Sequence, residues 1–170
     1  MTAPRPAVPS DVAAIDWASW VPVVRAVLCF VRDGDALLLI HKKTGLGAGK
    51  VNAPGGRIEP GESAETAAIR EVREEVCVED SGLREAGELF FQFADGFSLH
   101  GTVFFASAHS GEPRATREAD PFWCPIGEIP WDRMWEDDRH WLPLALEGRR
   151  FRAWFVFDGD RMLSRRIDLL

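Results

Sequence analysis

The sequence predicts an α+β domain in which two helices flank a mixed β-sheet, because two segments of helical periodicity are interspersed among six β-rich segments. Asp-Gly pairs between apolar runs at Asp33-Gly34, Asp95-Gly96 and Asp158-Gly159 add three hairpin turns. Residues 1–20 carry Pro4, Pro6 and Pro9 among alanines and read as a flexible extension whose Trp17 and Trp20 could dock it, with the domain spanning 21–170. Val23 to Arg32 and Ala36 to His41 are the first two strands. A glycine-rich loop from Thr44 to Gly49 follows, then Pro54-Gly55-Gly56 and Pro60-Gly61. From Ser63 to Val76, the residues Ala64, Ala67, Ala68, Ile69, Val72 and Val76 recur at helical spacing, and Ser63 is a suitable N-cap. Strands resume at Glu88 to Ala94, where Phe91 and Phe93 share a face, and at Phe97 to Ala108. Pro121, Pro125 and Pro130 break up Glu118 to Pro130. A second helix is expected from Asp137 to Glu147, kinked or delayed by Pro143. Phe151 to Phe157 and Arg161 to Leu170 complete the strands.

Composition narrows the function classes. The 170 residues are 46% hydrophobic, enough for one buried core. A net charge of −7 argues against a general electrostatic footprint for a nucleic-acid polymer, so a polyanionic ligand would need local help. No apolar run approaches the ~20 residues that cross a bilayer, and the Pro- and Arg-containing start is unlike a secretory leader, so a cytoplasmic protein without a membrane partner is expected. Cys29, Cys77 and Cys124 are odd in number and widely spaced, and are expected to be reduced and mostly packed. The four histidines form no ligand-spaced cluster.

The most informative segment is Arg70-Glu71-Val72-Arg73-Glu74-Glu75. Glu71, Glu74 and Glu75 fall at i, i+3 and i+4 and converge on one helical face. At ~6 Å and an effective dielectric of about 20, each like-charged contact costs roughly 2 to 3 kcal/mol as a ceiling, a cost that a hard divalent cation with oxygen ligands removes. Taken alone, such a helix is more simply a solvated face balanced by Arg70 and Arg73. The upstream Gly55-Gly56 changes that balance, since a backbone without Cβ atoms can turn sharply and offer carbonyls to a metal or close approach to a phosphate.

Residues 56 to 78 resemble the signature of the Nudix hydrolase family, with Gly56, Glu62, Arg70, Glu71, Val72, Glu74, Glu75 and Val78 at its positions. Cys77 stands where the family has Gly, so another residue is expected to take positive φ at the helix end. The resemblance implies a Nudix fold, an αβα sandwich around a mixed sheet, and Mg²⁺-dependent hydrolysis of a nucleoside diphosphate linked to another group, with Mn²⁺ as an alternative cation. It implies that Glu71, Glu75 and the Gly56 carbonyl bind metal, and that Glu74 is a further ligand or the base for the attacking water. Arg70 would pair with Glu62 and hold the loop against the helix.

Segments outside the signature resemble the animal-type oxidised purine nucleoside triphosphatases of that family, the 8-oxo-dGTP diphosphatases that sanitise the nucleotide pool. The matching stretches are Lys42-Lys43 through Gly45 to Asn52, Phe91-Gln92-Phe93, and Phe122-Trp123 through Met134-Trp135-Glu136-Asp137-Asp138 to Trp141 and Pro143-Leu144. Carried over, Trp135 stacks on a purine, Asp137 and Asp138 bond its edge, Asn52 lies opposite, Phe91 and Phe93 form pocket wall, Lys42 lies near the nucleotide and Glu118 reaches the metal. Taken singly, Asp137-Asp138 is more simply a helix cap, the tryptophans and phenylalanines are core, and Lys42 is a solvated base. Val51 precedes Asn52 where the family has Trp, Ala53-Pro54 replaces Gly-Phe, and Glu136 replaces a proline, all beside the implied pocket. The resulting expectation is a monomeric pyrophosphohydrolase of oxidised purine nucleoside triphosphates. A Nudix hydrolase of another nucleotide and a non-catalytic nucleotide sensor on the same fold are the alternatives.

Overall fold

The computed structural model describes residues 2–4 and 7–170; Met1, Arg5 and Pro6, within the expected extension, lie outside the described residues. The strands are β1 (Val24–Asp33), β2 (Ala36–Lys42), β3 (Val51–Asn52), β4 (Gly55–Arg57), β5 (Glu79–Phe93), β6 (Ser98–Ser110), β7 (Ala119–Pro125), β8 (Phe151–Asp158) and β9 (Arg161–Leu169). Helix α1 (Ala64–Val76) sits between β4 and β5, and α2 (Asp138–Leu146) precedes β8. The sheet runs β3-β2-β1-β6-β5-β8-β9, with β4 also on β1 and β7 also on β2. Pairings β1–β6 and β5–β8 are parallel and the others antiparallel, which makes the sheet mixed.

Both faces of the central strands are covered, and the alternation along each strand shows it. Val27, Cys29 and Val31 of β1 pack with Ala67, Ala68, Val72 and Val76 of α1. Their neighbour Phe30 turns to the other face, where it joins Trp141, Leu142 and Ala145 of α2 together with Phe151 and Phe155. In β2, Leu38 and Ile40 face α1 while Leu37 and Leu39 face α2. The three layers are therefore helix, sheet and helix. No helix among the described residues is long and apolar enough to cross a membrane.

The structure departs from the sequence expectation at several places. β5 begins at Glu79 rather than Glu88, because Glu79 to Glu85 pair with β6 although their side chains are mostly polar and exposed. The proline-broken stretch contains strand β7, in which Pro121 and Pro125 are accepted because β7 pairs with β2 alone among the described residues. Their four-residue spacing puts both rings on the same edge, where a missing N–H costs no ladder bond. Pro143 does not delay α2, which starts at Asp138 and contains it.

At the end of α1, Cys77 itself takes the left-handed conformation, φ 63° and ψ 28°, and its N–H bonds the Arg73 carbonyl at 3.0 Å. It is the only non-glycine with positive φ among the described residues, and it is exposed, whereas Cys29 and Cys124 are buried. No other residue substitutes for the missing glycine; the cysteine adopts its geometry at a steric cost of roughly 1–2 kcal/mol. Cys77→Gly is expected to raise stability by about 0.5–1 kcal/mol in urea titration, the relief being partly offset by the freer unfolded chain.

Candidate functional site

Helix α1 places the acidic groups. The Ser63 hydroxyl accepts from the Thr66 N–H at 3.1 Å and starts the helix. One turn apart, Glu71 and Glu75 fall on the same stripe as Ala68 and Val72 and are buried, 8% and 4% exposed. That stripe faces β4, where the two glycines serve different contacts. A Cβ on Gly55 would lie 2.1 Å from the Val27 carbonyl oxygen, and one on Gly56 would lie 2.5 Å from the Glu71 carboxylate. Only a bare backbone lets the Glu71 side chain settle there.

Glu118 enters from the loop before β7. Thr116 fixes that loop, its hydroxyl donating to the Glu75 carbonyl at 2.7 Å and accepting from the Glu118 N–H at 3.3 Å. The Glu118 carbonyl accepts from the Lys43 N–H at 2.9 Å. As a result Glu71, Glu75 and Glu118 each offer a carboxylate oxygen within 4.8 Å of the others. Burial, followed by the Glu71 charge, pushes the Glu75 carboxyl up to about 8, and burial also raises Glu71. Glu75 Oε2 is buried with no hydrogen-bond partner. An orphaned oxygen, a glycine cradle and three hard oxygen donors fit a divalent cation.

Glu74 is not in this group. Its exposed carboxylate accepts from Arg70 Nη1 at 3.1 Å. Arg70 donates from Nε and Nη2 to the two oxygens of Glu62, at 2.7 and 2.8 Å, and reaches Glu71 at 2.8 Å and the Arg57 carbonyl at 2.9 Å. These bonds hold Glu62 well below the usual carboxylate range, at about 2. One guanidinium thus joins the β4 backbone, the loop after it and two of the helix glutamates.

A cavity of about 280 Å³ opens beside the acidic group, and Gly56 and Glu75 form part of its wall. The same cavity is lined by Lys42, Asn52, Phe91, Phe93, Trp135, Asp137 and Asp138. Asn52 is oriented by its own Oδ1, which accepts from the Ala53 N–H at 2.8 Å. Phe93 meets Trp135 edge to face at 6.1 Å, and Phe157 does so at 5.5 Å. Several further residues contribute that the sequence reading did not single out. Lys50 holds its ammonium 5.2 Å from the Trp135 ring centroid. Gly47 lies so close to that indole that a Cβ would sit 2.7 Å from Nε1. Leu28, Leu89, Phe97 and Leu99 complete the apolar wall.

Asp137 and Asp138 are 1% and 3% exposed. Asp137 makes no side-chain cap bond; its Oδ2 accepts from Trp141 Nε1 at 2.8 Å, and its Oδ1 is buried without a partner. Asp138 Oδ2 accepts from the Trp135 N–H at 3.1 Å. Burial pushes Asp137 up to about 7, and burial together with the Asp137 charge raises Asp138 well above the ordinary value. Two adjacent acids in a dry wall do not both ionise readily near neutrality, so the pair can offer a donor as well as acceptors.

The raised Asp137 pKa carries a sign for stability. A carboxyl that binds its proton more tightly when folded contributes stability below its unfolded pKa of about 4, and that contribution is lost as pH rises to about 7. Asp137→Asn removes this titration while keeping an oxygen for Trp141. Its melting temperature relative to the unsubstituted protein is expected to climb by about 5 °C between pH 4 and 8 in calorimetry.

Residues 22–145 match the NUDIX domain family. The chain is 39% identical over 143 residues to an oxidized purine nucleoside triphosphate hydrolase of Danio rerio, covering 83% of this chain and 92% of that one. It is 35% identical over 139 residues to the Mus musculus protein of the same name, covering 81% and 89%. Among solved structures, a MutT protein from Bacillus halodurans superposes with a TM-score of 0.77 at 27% identity, covering 86% of this chain and 98% of that one. With its signature helix, glycine turn and three-layer fold, the chain belongs to the NUDIX domain family of hydrolases.

Proposed function

We propose that the protein hydrolyses oxidised purine nucleoside triphosphates, 8-oxo-dGTP among them, to the monophosphate and pyrophosphate with Mg²⁺, which removes damaged precursors from the nucleotide pool. The observation that carries the substrate is the buried Asp137-Asp138 pair, which shares one cavity with Trp135 and with Glu75 of the acidic group. The names of the Danio rerio and Mus musculus relatives support the same substrate class.

In this reading the base lies against Trp135, whose orientation Phe93 and Phe157 fix from its edge. The protonated member of the Asp pair donates to a carbonyl oxygen of the base, while the ionised member accepts from its ring N–H. An oxidised guanine carries a carbonyl and an N–H where guanine has a C–H and a bare nitrogen, so the pair suits the oxidised edge. Lys42, on the cavity wall, contributes positive charge for the phosphates. Glu71, Glu75 and Glu118, with the Gly56 carbonyl, would hold the cation, which when bound draws charge from the phosphoryl oxygens and lowers the pKa of water. Glu74 orients or deprotonates the attacking water from the exposed side of the helix, and Arg70 positions Glu62, Glu71 and Glu74. The protein acts as a monomer.

Chromatography of 8-oxo-dGTP and dGTP incubated with the protein, with and without Mg²⁺, tests the proposal. The expected result is Mg²⁺-dependent turnover with kcat/KM about tenfold or more higher for the oxidised substrate, the worth of one good added hydrogen bond. Absence of metal-dependent turnover of both, or a preference for dGTP, contradicts it.

A further inference from the structure

Residues 11–20 lie ahead of the stretch matched to the family, yet they are fastened to the sheet. Asp11 caps a single 3-10 turn, Val12–Ala14, and the Val12 N–H donates to Ser164 Oγ of β9 at 3.0 Å. Trp17 and Trp20 then pack on each other at 5.2 Å and on Phe90 of β5 at 6.5 and 5.9 Å, and Phe90 stacks on Trp154 of β8 at 5.3 Å. Past them, the Val23 N–H donates to Ser98 Oγ of β6 at 2.9 Å. The segment is a strap tied at both ends.

Phe90 and Phe91 are consecutive in β5, so they point to opposite faces of the sheet. Phe91 lines the nucleotide cavity, which places the strap behind the wall rather than in it. One hydrogen-bonded path runs from the Trp20 indole to that wall. Trp20 Nε1 donates to Gln92 Oε1 at 2.8 Å, and Gln92 Nε2 donates to the carbonyls of Phe93 and Phe97 at 3.1 and 3.2 Å. Those carbonyls bracket the Asp95-Gly96 turn, and the side chains of Phe93 and Phe97 face the cavity. The carboxamide therefore has its oxygen held by the strap and its nitrogen held by the hairpin.

We propose that Trp20 is a positioning residue for substrate binding, acting through the Gln92 carboxamide to set the β5–β6 turn that carries Phe93 and Phe97. A carboxamide anchored at its oxygen loses rotational freedom about its last torsion, so its two N–H groups stay directed at the turn carbonyls. Without that anchor the side chain samples other rotamers and the turn loosens. Phe93 also braces Trp135 edge-on, so a loosened turn reaches the surface on which the base lies. The inference uses the proposed nucleotide reading only for the choice of substrate.

Trp20→Phe keeps an aromatic ring on Phe90 and Trp17 while removing the indole donor. It is expected to speed amide exchange at Gly96 and Phe97 about fivefold, the worth of one hydrogen bond, and to raise KM for 8-oxo-dGTP by a similar factor with kcat within about twofold. Gln92→Leu should reproduce both effects, and adding Trp20→Phe to it should change nothing further. Trp17→Phe is the control, because it breaks a bond from the same strap, Trp17 Nε1 to the Val12 carbonyl at 2.9 Å, without touching Gln92. It should leave the turn exchange and KM unchanged. Equal effects of the Trp17 and Trp20 variants, a parallel fall in kcat, or unaltered exchange at the turn each overturn the proposal. Should the protein leave 8-oxo-dGTP intact, the nucleotide reading fails while the exchange comparison still decides this one.

Discussion

Glu75→Gln is expected to lower kcat by about 10³-fold while leaving the protein folded, a loss on the scale of removing a group that stabilises transition-state charge. The substitution keeps the shape of the side chain and deletes one of three carboxylates that converge within 4.8 Å. It acts where one carboxylate oxygen, Oε2, is buried without a hydrogen-bond partner, so ionising the side chain there is costly until a cation binds it. Without divalent cation the variant should melt no lower than the unsubstituted protein, because neutralising the side chain relieves both burial cost and repulsion from Glu71. With Mg²⁺ the order should reverse, since a cation bound by the native carboxylates adds its binding energy to folding. Steady-state kinetics and paired melts with and without Mg²⁺ read the two effects separately. A variant with near-native kcat removes Glu75 from the catalytic group.

Asp138→Asn should reduce kcat/KM for 8-oxo-dGTP by about 10²-fold, the cost of leaving a buried charge-assisted hydrogen bond unmade. The amide oxygen can still accept from the Trp135 N–H, so the start of α2 is retained. What disappears is the shared proton of the acid pair, and with it the matched donor and acceptor. Turnover of dGTP should fall less than that of the oxidised nucleotide, which narrows the ratio between them. Glu136→Gln is the internal comparison: it changes the neighbouring charge outside the cavity lining and should alter kcat/KM by less than about twofold, as surface substitutions usually do. Equal small effects at both positions remove the claim that the pair reads the base.

The contrast between these two glutamate and aspartate sites shows what a sequence can carry. Glu71 and Glu75 were legible because helical spacing alone places them on one stripe, and the Gly55-Gly56 turn was legible because few other reasons call for two glycines before such a helix. Fold class followed from periodicity and turn residues, which act locally. Strand β7 was not legible, since the edge position that tolerates Pro121 and Pro125 is a property of the assembled sheet. Nor could spacing separate Glu74 from Glu75, because it is the β4 backbone and the Glu118 loop that bury one of them and leave the other to Arg70. Lys50, Gly47 and Phe97 reach Trp135 and its cavity from distant segments, and singly each has the pattern of an ordinary surface base, turn glycine or core aromatic. At Cys77 the family pattern called for a glycine geometry, and the cysteine adopts it at its own steric expense.

In the proposed reading one cleft holds the base through Asp137 and Asp138 and cleaves the phosphate chain beside Glu75, which fixes the products as well as the substrate. Phosphorus NMR of 8-oxo-dGTP turned over by the protein with Mg²⁺ measures this directly. The account predicts pyrophosphate and the oxidised nucleoside monophosphate in equal amounts. Orthophosphate accompanied by the diphosphate, or a triphosphate left intact in the presence of the cation, contradicts it.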